Sequence, residues 1–195
     1  MATSRGVVWL LGGLAIGCAK PVPPTEVRQA PVHPDLQCPA GTVAAGLAPP
    51  QGHEAWCEKP VQVGPVLRVG PSLTWHTNGE KASQGSWEAG LRTGPWLFWH
   101  PNAQLSEQGA YSADEKQGIW TTYDSSGRRT AEGSFVAGSR DGDWIFWDPS
   151  AQTRTEGRYE LGEREGKWVE FDPEGRPVRE RDFRDDRMLN VRSLQ

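Results

Sequence analysis

A period of 24 residues runs through the second half of the chain and constrains its fold more than any other feature. Gly94, Gly118, Gly142 and Gly166 stand one period apart, and Trp96, Trp120, Trp144 and Trp168 follow them by two positions. A second column runs Trp75, Trp99, Tyr123, Trp147 and Phe171. A third pairs Gly85, Gly109, Gly133 and Gly157 with Trp87, Tyr111, Phe135 and Tyr159 two residues on, and Phe183 continues it. These columns hold 14 of the 18 aromatic residues, so the repeat places the aromatics.

Each unit reads as a hairpin. Asp172-Pro173-Glu174-Gly175 has the residues of a type I turn closed by a left-handed position. Ala103 and Ala151 stand at that left-handed position in two other units, so either they bear its strain or those turns differ. The opposite turns are expected to end in Gly94, Gly118, Gly142 and Gly166. Short β-type segments between turns about 12 residues apart predict an all-β fold, an antiparallel meander of stacked β-hairpins. Gly85 and Trp87 share a strand face, and the glycine leaves a gap in which a neighbouring ring lies flat. Trp96 and Trp99 are three apart, so either both faces carry aromatics or a bulge turns one ring.

Such ladders would replace an aliphatic core that the chain lacks. Leu, Ile, Val and Phe together number 35 of 195 residues. That is a fraction met in disordered chains, but net charge is only −4 and ten tryptophans are present, so the chain is expected to fold. Twenty-one basic residues against 25 acidic ones leave no excess for phosphates, which argues against nucleic acid as partner.

The N-terminal region reads as an address. Arg5 precedes the apolar run Val7–Gly17, too short for a bilayer span of about 20 residues but suited to a signal peptide. Leu14-Ala15-Ile16-Gly17-Cys18 resembles the lipobox of bacterial lipoproteins, which implies cleavage after residue 17 and lipidation of Cys18. Ala19 in place of Asp implies, by the same resemblance, the outer membrane of the cell envelope. Residues 18–37 then form a tether rich in proline (Pro21, Pro23, Pro24, Pro31, Pro34). Cys38 and Cys57 remain as a pair and, in an exported chain, predict a disulfide closing a segment over 38–60. Zinc held by the two cysteines and His53 is the alternative, with an incomplete ligand set. The repeat domain is expected over 61–187, with a tail at 188–195.

The pattern Trp75-His76-Thr77-Asn78-Gly79, with Gly118-Ile119-Trp120-Thr121-Thr122-Tyr123, resembles the MORN repeat in its bacterial variant form. Relatives in that family are often labelled antitoxin components, and eukaryotic ones are scaffolds once proposed to bind phospholipid. No basic stripe of the kind anionic lipid asks for is apparent here. His76 and His100 share a column with Asp124, Asp148 and Asp172. That column invites a metal or acid–base reading, but it is also turn position i, where such residues serve local hydrogen bonding. Gly162–Lys167 mimics a phosphate-binding loop but is one residue short, and Trp168 replaces its Ser/Thr. The sequence therefore predicts a non-enzyme without metal or cofactor: an envelope lipoprotein presenting an interaction surface to a protein partner. Glycan stacking on exposed tryptophans is the rival expectation.

Overall fold

The computed structural model describes residues 33–60 and 64–194, and Cys18 with most of the expected tether lies outside them. Thirteen strands form one antiparallel sheet in which spatial order equals chain order. They are β1 (Val43–Leu47), β2 (Glu54–Lys59), β3 (Leu67–Trp75), β4 (Lys81–Glu88), β5 (Leu91–Trp99), β6 (Leu105–Ser112) and β7 (Glu115–Tyr123). The meander continues through β8 (Arg129–Val136), β9 (Ser139–Asp148), β10 (Thr153–Glu160), β11 (Glu163–Phe171), β12 (Pro177–Arg184) and β13 (Arg187–Ser193). The all-β meander of hairpins expected from the period is what the chain forms.

Two kinds of turn alternate along it. On one edge, Ala89-Gly90, Ala113-Asp114, Ala137-Gly138, Leu161-Gly162 and Asp185-Asp186 all have positive φ at both positions. They close two-residue hairpins of type I′, whose twist matches that of the flanking strands. On the other edge Gly79, Ala103, Gly127 and Gly175 take the left-handed position of a longer turn. Each of these hairpins shifts register by one residue at its aromatic end, as at Phe98/Trp99.

The glycines expected to end the opposite turns lie elsewhere. Gly94, Gly118, Gly142 and Gly166 sit inside strands at bulges where an advance of two residues on one strand matches four on its neighbour. Their φ values of 64° to 83° supply the local kink, which L-residues resist. The second glycine column acts by size. Gly85, Gly109, Gly133 and Gly157 carry the indole rings of Trp96, Trp120, Trp144 and Trp168 directly on their backbone, where any Cβ would overlap the ring.

The expected segmentation at the N-terminal end also changes. Cys38 and Cys57 are disulfide-bonded, but β1 and β2 are the first two strands of the common sheet and not a separate body. The end of the expected tether is packed too: Leu36 is 4% exposed in a cluster with Ala55, Cys57, Leu73 and Trp75. At the other end residues 187–193 continue the sheet as β13 instead of trailing as a tail. That edge strand exposes Met188, Leu189 and Val191, but a register shift and the flanking Arg187 and Arg192 guard it against further pairing.

Candidate interaction surface

One face of the sheet carries two of the three core clusters. Trp87, Trp96, Tyr111, Trp120, Phe135, Trp144, Tyr159, Trp168 and Phe183 meet edge to face in an unbroken series with centroid separations of 5.0 to 6.2 Å. Such edge contacts set the positive rim of one ring against the negative face of the next. Phe98 and Phe146, outside the sequence columns, stack on Trp96 and Trp144 at 5.8 and 5.5 Å. Burying a ring of about 200 Å² contributes roughly 5 kcal/mol before entropy is counted. Three indoles also donate Nε1–H to backbone carbonyls, Trp96 to Ser86, Trp120 to Ala110 and Trp144 to Ser134. Trp168 keeps the ring position but its buried Nε1 lacks a partner.

A cation stands over this series once per repeat. Arg68, Arg92, Lys116, Arg140 and Arg164 are 24 residues apart. They lie 5.2 Å from the centroid of Trp87, 3.9 Å from Tyr111, 4.0 Å from Trp120, 4.6 Å from Trp144 and 4.1 Å from Phe183. Their alkyl stems cover the rings while the charge meets the ring quadrupole. Five cations thus align on this face. Four of them are matched by carboxylates, Arg68 with Glu54, Arg92 with Asp114, Lys116 with Glu107 and Arg164 with Asp186. Arg140 instead donates to the Tyr159 hydroxyl at 3.0 Å.

Trp75, Trp99, Tyr123, Trp147 and Phe171 belong to the opposite face, so both faces carry aromatics. Trp75 is buried under the N-terminal segment, with His33 5.1 Å from its ring. The other four are half-buried, and Lys81, Arg129 and Arg154 lie beside Trp99, Trp147 and Phe171. Trp147 and Phe171 share Arg154 as cross-strand partner, which places all three in one row. The aromatic members of such a row recur every second strand, or about 10 Å.

The histidine column has a structural task. His76 Nε2 donates to the Trp99 carbonyl at 2.8 Å and His100 Nε2 to the Tyr123 carbonyl at 3.0 Å, each tying a turn to the next unit. Asn78 and Asn102 do the same toward Pro101 and Ser125. Asp124, Asp148 and Asp172 instead accept from their own turns. His53 lies on the turn before β2, and among the described residues no group of three or more His, Cys, Asp or Glu is placed to hold a metal.

Several half-buried or exposed carboxylates are held below the usual range. The Arg92 side chain does this for Asp114, the Ser150 hydroxyl for Asp148, Lys167 for Glu180 and the Arg164 side chain for Asp186. Backbone N–H groups of Arg128 and Arg176 do it for Asp124 and Asp172. A depressed folded pKa contributes stability that is present above the unfolded value and lost as pH falls through the folded one. The melting temperature should thus stay level from pH 7 to about pH 5 and fall below about pH 4. Thermal melts across that range check it, and a decline that is already complete at pH 5 would contradict it.

Comparison with protein-family models and with curated protein sequences finds no match to this chain.

Proposed function

We propose that this chain is a non-catalytic, lipid-anchored protein of the bacterial envelope whose repeat sheet serves as a protein-interaction module. One observation carries the reading: the sheet is a single layer, with no helix or second sheet over either broad face among the described residues. Structure of this kind makes a large ordered surface, as repeat arrays do elsewhere. The lipobox-like Leu14–Cys18 supports the anchor, since two or three acyl chains hold a protein at a membrane where one is marginal. The likeness to MORN repeats supports the scaffold reading. Glycan stacking draws less support, because Trp96, Trp120, Trp144 and Trp168 are all buried.

In-cell crosslinking of the tagged protein, with and without Cys18→Ala, tests this. We expect the wild-type chain in the membrane fraction with a stoichiometric protein partner, and the Cys18→Ala chain released from the membrane with that partner lost. Membrane retention of the variant sinks the anchor. Recovery of bulk envelope proteins alone sinks the partner.

A further inference from the structure

One hairpin breaks the repeat. In the others the aromatic column shifts register, whereas Trp147 pairs directly with Arg154 and the pairing extends to Asp148 with Thr153. The left-handed position moves to Gln152 (φ 56°), and Ala151 is spared it. Asp148 holds the altered turn together, its Oδ1 accepting from Ser150 N at 2.9 Å, Ser150 Oγ at 2.5 Å and Ala151 N at 3.1 Å. At this irregular turn lies a groove of about 460 Å³, lined among others by Arg128, Arg129, Trp147, Pro149, Arg154 and Pro173.

The geometry points to this groove as the binding site for an extended acidic peptide segment of a protein partner. This rests on the interaction-module reading and says where on the sheet, and to what chemistry, the module binds. Three guanidiniums border the groove. Arg128 is used up, since it bonds Asp124 and donates to the Pro149 carbonyl at 3.2 Å. Arg129 and Arg154 are not. Arg129 spends Nη1 on Glu132 at 3.3 Å and its side chain is 53% exposed. Arg154 spends Nε on Glu156 at 2.6 Å and is 33% exposed. Each therefore keeps an N–H fork of the shape that takes a carboxylate with two parallel bonds.

Two carboxylates also line the groove, and both are already engaged: Asp148 accepts from its turn donors, Asp172 from Arg176 at 2.7 Å. Trp147, Pro149 and Pro173 supply apolar contact for a peptide backbone between its acids. A sugar is the poorer fit. Arg129 lies 4.8 Å from the centroid of Trp147 and Arg154 4.0 Å from that of Phe171, so guanidinium already stands where a pyranose would stack.

The test uses the full-length chain in detergent micelles and a fluorescein-labelled octapeptide of alternating Glu and Pro, read by anisotropy. We expect saturable binding that weakens with salt, and none by the matching Gln-Pro peptide. Arg129→Gln with Arg154→Gln should weaken binding at least tenfold. Arg129→Lys with Arg154→Lys, which keeps the charge and loses the fork, should weaken it severalfold with an unchanged melt. Arg179→Gln, outside the groove, should leave it intact. Absence of binding, equal binding by the double Gln variant, or tighter binding of polygalacturonate each overturns the assignment. If the Gln variant still captures the wild-type partner in cells, the groove is wrong and the interaction module stands.

Discussion

Gly133→Ala should destabilise the repeat sheet by about 3 kcal/mol, combining overpacking with the loss of an indole hydrogen bond. The reason is spatial. Gly133 has an ordinary backbone conformation, and its missing side chain is where the Trp144 ring rests. A methyl there must push the indole off the strand, breaking its bond to the Ser134 carbonyl and its edge contacts to Phe135 and Tyr159. Gly94→Ala is the control. Its Cβ would meet open space, but at φ 64° the residue is left-handed, so the cost should be about 1 kcal/mol. Denaturant melts of both variants decide the matter. Equal losses would mean that the ring-on-glycine contact is not what the Gly133 position requires.

Replacing Cys38 and Cys57 by serine should cost about 3 kcal/mol, because the bond closes a loop of 19 residues in the unfolded chain. The loss should stay local. Cys57 is fully buried with Leu36, Ala55, Leu73 and Trp75, so β1–β3 loosen first. Trp96, Tyr111, Trp120, Trp144, Tyr159, Trp168 and Phe183 belong to two other clusters. Hydrogen exchange should accordingly rise in β1–β3 and remain unchanged in β7–β11. Uniform acceleration along the sheet would show that the array unfolds as one unit and not repeat by repeat.

The meander was legible because tryptophan is uncommon enough for a fixed spacing to stand out, and glycines recur at the same period beside it. So was the glycine beneath the ring, since Gly85 and Trp87 share a face by simple alternation. The cation column was not. Arg92 and Lys116 sit among a charged quarter of the chain, and only the register sets them over Tyr111 and Trp120. The tight turns were hidden for a different reason. Ala89, Ala113 and Leu161 are poor candidates for positive φ, so Gly94 and its equivalents drew the turn assignment away from them. The groove beside Trp147 was half visible: Ala151 at a left-handed position marked the turn as odd, but its consequence depends on the pairing of Trp147 with Arg154.

Every strand of the sheet pairs only with the strand before it and the strand after it. Nothing made early must wait for a distant segment to return, which keeps the sequence separation of contacts low and favours rapid formation. A chain that emerges N-terminus first, from a ribosome or a translocation pore, can therefore crystallise strand upon strand in the order of its synthesis. At each stage the newest strand is the growing edge, and the hairpin that covers it is the next segment of the same chain.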